Sequence, residues 1–207
     1  MNTATILMAT NNPGKQRELA ALLAAYPVRP VRPSELGITL EVDEDGQTYA
    51  ENARRKAIAF ARASGLIALA DDSGLEITVL GGWPGPRSAR WAGPAATDAD
   101  RRALVLARLA GVPDRDRRAR FVCHAVLADP HGILAEAEGT LAGRIATSEQ
   151  GQGGFGYDAI FVPDGYPCTL ASLPEEVKNR LSHRAQAISR LRDVLLRLAC
   201  PDSAPSS

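Results

Sequence analysis

Lysine is scarce in this chain of 207 residues: of its 24 basic residues only Lys15, Lys56 and Lys178 are lysine, and the rest are arginine. A compact ammonium on a flexible stem does work that a planar guanidinium cannot, so each remaining lysine carries weight. Cysteine is scarce too. Cys123, Cys168 and Cys200 are odd in number and far apart with no CxxC pair, which argues against a disulfide frame or a zinc site and for reduced thiols. Neither sign of charge is in excess, 24 against 24, so no general affinity for nucleic acid or for a membrane is expected. The local run of Arg115, Arg117, Arg118 and Arg120 is interleaved with Asp114 and Asp116 and reads as a solvated loop. The apolar start at 3–9 lacks a basic flank and is too short for a signal peptide or a membrane span. A cytoplasmic location is the expectation. No internal repeat is visible.

What is present alternates between strand and helix patterns. Residues 4–9 (ATILMA) read as a buried strand, 10–14 as a loop, and 15–25 as a helix with Leu19, Leu22 and Leu23 at helical spacing. Pro27, Pro30 and Pro33 keep the next stretch extended, and 41–46 (EVDEDG) forms an acidic loop. A helix over 48–64 starts with the capping box Thr48 and Glu51 and ends at Gly65. A short strand at 66–70 delivers Asp71-Asp72-Ser73-Gly74 at its end, and a second strand follows at 75–80. After the loop 81–93 comes a helix at 98–110 capped by Thr97. Strands at 120–127 and 133–141 form a hairpin through Asp129-Pro130-His131-Gly132. A glycine loop at 151–158 leads to a strand at 159–162, and helices follow at 174–181 and 183–199. The pattern predicts one α/β domain over 1–200 with a mixed sheet and flanking helices, then a disordered tail at 201–207.

Three segments carry chemistry. Two adjacent carboxylates at the end of a buried strand suit a divalent cation shared with a triphosphate. An aspartate-capped turn is the plainer reading of Asp71-Asp72. Residues 10–15 offer hydroxyl, amide, backbone N–H and ammonium groups at a helix start, where anions bind. No GxxxxGK[ST] loop is present, and a Pro-Gly turn before a capped helix is the competing reading. Phe155 sits between glycines in GGFGYD, as a stacking platform or as a core side chain, and Asp158 follows it. Lys178, His183 and Arg184 lie at the start and within the last helical pair.

Taken in order, ATNNPGK, DGQTYAENARRKA, ADDSGL, LGGWPGPRSARW, GGFGYDAIF and EEVKNRLSHRAQA closely resemble the inosine/xanthosine triphosphate pyrophosphatase family. The resemblance implies an elongated mixed α/β fold with two lobes around a central cleft, a homodimer, and Mg2+ as cofactor. It implies hydrolysis of ITP, dITP or XTP to the monophosphate and pyrophosphate. By that likeness Thr10, Asn11, Asn12, Pro13, Gly14 and Lys15 bind the triphosphate. Asp72 is general base and metal ligand, Ser73 touches substrate, and Glu44 is a second metal ligand, with Asp43 close by. Glu51, Asn52 and Lys56 line the cleft, Lys15 and Lys56 act in catalysis, and Phe155, Gly156, Tyr157 and Asp158 form the base loop. Lys178, His183 and Arg184 complete the phosphate and base contacts, the last two reading the 6-keto oxygen. Ala159 stands where the family often has proline. A pyrophosphatase for modified pyrimidine or methylated nucleotides, or a nucleotide-binding protein without hydrolysis, are the other readings.

Overall fold

The computed structural model describes residues 3–93 and 95–198. Cys200, the end of the helix expected over 183–199 and the tail at 201–207 lie outside the described residues. Six strands run in the order β2-β1-β3-β4-β5-β6. They are β1 (Ala4–Met8), β2 (Val28–Val31), β3 (Ile67–Ile77), β4 (Arg118–Ala128), β5 (Ile133–Ile145) and β6 (Phe161–Pro163). β1 is parallel to β2 and to β3, while β5 and β6 are antiparallel, so the sheet is mixed as the sequence implied. Pro30 is tolerated because β2 is an edge strand. The helices are α1 (Pro13–Leu23), α2 (Tyr49–Ser64), α3 (Asp98–Arg108), α4 (Glu175–Leu181), α5 (His183–Arg190) and α6 (Arg192–Leu198).

The described residues divide into two compact units. Among them unit 1 is drawn from residues 3–72, 123–139 and 184–198, and unit 2 from residues 73–93, 95–122 and 140–183. In unit 1 the central strands β1, β3 and β4 are buried on both faces, where successive side chains point to opposite sides. Ile6, Met8, Leu69, Cys123, Ala125 and Leu127 pack with α1, α5 and α6 through Leu19, Leu23, Ile188 and Leu195. Leu7, Ala9, Ala68, Ala70, Val126 and Ala128 face the other way and pack on Ala53, Ala57 and Phe60 of α2. Unit 2 has its own core, with Leu75, Ile77, Val105, Leu109, Phe121, Tyr157 and Phe161.

Several expectations need correction. α1 begins at Pro13, not at residue 15, because Asn12 caps it: the Asn12 side chain accepts from the Lys15 N–H, and proline at the first helical position lacks only a donor that the helix does not use. β3 is one continuous strand, so Asp71-Asp72 lie inside it and not at its end. Residues 78–80 form a short 3-10 turn. The expected last helix is two, α5 and α6. One residue of the arginine run departs from the expected solvated loop: Arg117 is buried, with its guanidinium donating to the carbonyls of Leu109, Ile145 and Ala146 at 2.7–2.9 Å. Arg118 pairs with Asp164 and Arg120 with Glu76, and Arg115, Arg118 and Arg120 all stay exposed, as expected.

Candidate active site

Strand geometry decides what surrounds the two aspartates. Asp71 follows the face of Leu69, so it meets α1 and α5. Asp72 follows the face of Ala70, so it meets α2. Asp71 is fully buried and its Oδ2 accepts from Arg184 Nε at 3.2 Å and Nη2 at 2.9 Å. The same oxygen lies 3.1 Å from the Lys15 ammonium. Glu18, one turn beyond Lys15 on α1, holds the other end of the Arg184 guanidinium through Nη1. On the opposite face, Asn52 of α2 is wholly buried and donates through Nδ2 to Asp72 Oδ2 at 3.0 Å, while its Oδ1 accepts from the Gly46 N–H at 2.9 Å. Lys56, one turn on, lies 2.5 Å from Glu44 Oε1, 2.6 Å from the Asp71 carbonyl and 3.5 Å from Asp72 Oδ1. Two of the three lysines thus meet at the Asp71-Asp72 peptide. Their helices converge there because the cap at Asn12 and the capping box at Thr48 and Glu51 fix where α1 and α2 start.

These surroundings push the two carboxyls apart. Burial works to raise Asp71, but Arg184, Lys15 and Lys56 outweigh it and hold the group far below the usual carboxylate range. Burial dominates at Asp72 and pushes its carboxyl up, against the pull of Lys56 and Lys15. Burial works against the charged forms of Lys56 and Glu44 as well. Their neighbours win: Asp72 and Glu44 raise Lys56, and Lys56 lowers Glu44. One aspartate is therefore a permanent anion and its neighbour a stronger base than usual, the separation that assigns different roles to paired acids.

The donor set also suits a hard cation. Glu18, Glu44, Asp71 and Asp72 face Lys15, Lys56 and Arg184, four carboxylates against three cations, which leaves one negative charge over. Among the described residues no group of three His, Cys, Asp or Glu is arranged as a metal cage. Magnesium does not require one, since it takes one or two carboxylates and keeps waters or phosphate oxygens. Glu44 is the acidic-loop carboxylate that pairs with Lys56 in this cluster.

The remaining expected residues fall as follows. Thr10 Oγ1 accepts from the Asn12 N–H, its carbonyl accepts from Gln16, and Asn11 donates to the Leu40 carbonyl. Gly14 is buried in the first turn of α1. Ser73 continues β3 as the first residue of unit 2. Lys178 belongs to unit 2. Its Nζ lies 2.6 Å from Asp158 Oδ2 and 5.0 Å from the centre of the Phe155 ring. Tyr157 is a core side chain whose hydroxyl donates to the Ser88 carbonyl. His183 stacks on Phe121 with ring centres 4.7 Å apart. Arg184 places its guanidinium on Asp71 and Glu18.

Sequence reasoning missed Glu18, although its place three residues after Lys15 on α1 was a usable signal. It also missed Asp98 and Arg102 of α3, which hold the Phe155 loop. The Gly156 N–H donates to Asp98 Oδ2 at 2.8 Å, and Arg102 Nη1 donates to the Gly156 carbonyl at 3.0 Å. Nothing in the local spacing tied a helix start near residue 98 to a loop near 156.

The fold and this site define a mixed α/β protein whose buried acidic pair is matched to ammonium and guanidinium groups. The chain belongs to the Ham1 family, whose model matches residues 6–194. It is 45% identical over 193 residues to a protein of Desulforamulus reducens named dITP/XTP pyrophosphatase, covering 93% of this chain and 96% of that one. A dITP/XTP pyrophosphatase of Methylococcus capsulatus is 48% identical over 194 residues, covering 90% and 96%. Among solved structures, a HAM1 protein from Coxiella burnetii matches with a TM-score of 0.82 at 39% identity, over 93% of this chain and 98% of that one. No helix among the described residues is long and apolar enough to cross a membrane.

Proposed function

We propose that this chain is a nucleoside triphosphate pyrophosphatase that hydrolyses ITP, dITP and XTP to the monophosphate and pyrophosphate. The names of its relatives support the reaction and the substrates. The observation that carries the chemistry is the opposed pair in β3: Asp71 held ionised by Arg184 and Lys15, and Asp72 kept basic by burial.

Water attacks the α-phosphorus, the bond from that phosphorus to the α–β bridging oxygen breaks, and pyrophosphate leaves. Asp72 accepts the proton of the attacking water, a task for which a raised carboxyl is better suited than an ordinary one. Asn52 keeps the Asp72 carboxylate oriented. Asp71 keeps Lys15 in place, and Lys15 and Lys56 stabilise the charge that gathers on the leaving group. Asp72 and Glu44 would hold magnesium, which when bound supplies neutralisation of phosphate charge. Reading of the base falls to unit 2. There Phe155 offers a ring face and Lys178 a donor suited to a 6-keto oxygen, which adenine lacks; a site built on such a bond discriminates by about 10⁴ or more. The odd, widely spaced cysteines support a cytoplasmic location, and the family resemblance supports a homodimer.

The test is a panel of ITP, dITP, XTP, ATP, GTP and 5-methyl-UTP, each assayed with magnesium for pyrophosphate and for orthophosphate. ITP, dITP and XTP should release pyrophosphate. Orthophosphate as the product, or equal rates on ITP and ATP, would overturn the assignment.

A further inference from the structure

We propose that Asp98 and Arg102 of α3 are positioning residues for the base: they hold both backbone groups of Gly156 and so fix the Phe155 ring at the edge of its cavity. The inference rests on the reading of unit 2 as the base-binding part.

The cavity measures about 380 Å³ and is lined by Asp98, Arg102, Glu149, Gly153, Phe155 and Ala159, among others. Phe155 has glycine on either side, and both Gly154 and Gly156 have positive φ, +74° and +60°. Nothing lies within 4 Å of where a Cβ on Gly156 would stand, so glycine is needed there for its backbone angle and not for space. A loop of this composition has little stiffness of its own. Its rigidity is imported through side chains. Asp158 Oδ2 accepts from the Phe155 N–H at 3.0 Å. Asp98 Oδ2 takes the next N–H and Arg102 the carbonyl of the same residue. Asp98 is free for this because Asp100, two residues on, closes the capping box with Thr97. Arg101 Nη1 lies 2.7 Å from Asp98 Oδ1 and aims it, while Glu149 lies 3.0 Å from Arg102 Nε and does the same for the guanidinium. Four charged side chains are thus ordered around one half-buried glycine. A turn needs no such clamp to form; an aromatic that must meet a flat ligand at a fixed height and tilt does.

The test compares Asp98→Ala, Asp98→Asn, Arg102→Ala and Arg102→Lys with the parent. Loss of one charge-assisted hydrogen bond from the clamp should raise KM for ITP about tenfold with kcat nearly unchanged. Asp98→Asn, which keeps an acceptor oxygen, should recover most of the loss. Arg102→Lys, with one ammonium for two partners, should not. Hydrogen exchange on the substrate-free protein gives a readout independent of the substrate's identity: the Gly156 amide should exchange at least about tenfold faster in Asp98→Ala, while amides of β1 and α2 keep the parent rate. Faster Gly156 exchange with no ITP hydrolysis in the parent would sink the proposed function and, with it, the link from clamp to base. An unchanged Gly156 rate, or an unchanged KM in Asp98→Ala, would overturn the positioning role while leaving the pyrophosphatase reading intact.

Discussion

Asp71 and Asp72 are chemically identical, adjacent and both buried, yet they answer different questions. Asp72→Asn removes the base while keeping the shape and the bond to Asn52. Turnover should fall by about 10² to 10⁴ with little change in unfolding temperature, and turnover near the parent's would refute the role. Because burial raises the Asp72 carboxyl, the acid limb of kcat/KM should lie above the ordinary aspartate range, with activity lost as pH falls through it and the group takes up its proton. Asp71→Asn is a different experiment. It leaves the Arg184 guanidinium buried with Glu18 as its remaining carboxylate partner in the cluster. Breaking a buried pair from one side costs about 3 to 5 kcal/mol, measurable by urea unfolding. The sign of its pH dependence follows from the depressed folded-state value: the stabilisation is fully present above the unfolded pKa and is lost as pH falls toward the folded one. The asparagine variant should lose that acid limb of stability. Residue types and their order were legible in the sequence. The opposed environments were not, because they depend on which face of β3 each side chain takes.

At the level of elements, α2 shows how local signals carry to the site. The capping box of Thr48 and Glu51 was plain in the sequence, and it sets the start of the helix that presents Asn52 and Lys56. Gly46 is part of the same device. A Cβ there would stand 2.5 Å from Asn52 Oδ1, the atom that accepts from the Gly46 N–H. Gly46→Ala should therefore push Asn52 off Asp72, lowering kcat several-fold while thermal stability shifts by little; unchanged kcat would show that Asn52 does not orient the base. The hairpin of β4 and β5 was equally readable, since Asp129 Oδ1 accepts from the N–H groups of His131 and Gly132 as turn chemistry dictates. The single strand β3 was not. Its Asp-Asp-Ser-Gly stretch has the composition of a turn, and only pairing with β1 and β4 on either side overrides that local preference. Arg117 was misread for the same reason. Among neighbouring charges it looks solvated, and its three carbonyl partners are Leu109 capping α3, Ile145 at the end of β5 and Ala146 just after it.

For the molecule as a whole, neither unit is a continuous stretch of chain. Unit 1 takes its core from Ile6, Leu19 and Leu69, from Cys123 and Leu127, and from Ile188, Leu191 and Leu195. A fragment of residues 1–72 would keep the two aspartates and two of the lysines yet lack half the side chains that bury them. It should show no near-ultraviolet circular dichroism and no cooperative unfolding; a folded fragment would mean that the core is divided differently. The sequence disclosed one mixed α/β protein and its ordered motifs, but not this interleaving, which rests on contacts between distant segments. Asp71 and Arg184 stand 113 positions apart, and that separation has a bearing on biosynthesis. While the nascent chain leaves the ribosome, Asp71 is made 113 residues before the guanidinium that will pair with it, with Lys15 and Lys56 as its earlier cations. A buried anion needs its full set of partners, so this region stays hydrated until α5 emerges, and the cluster reaches its charge balance only then.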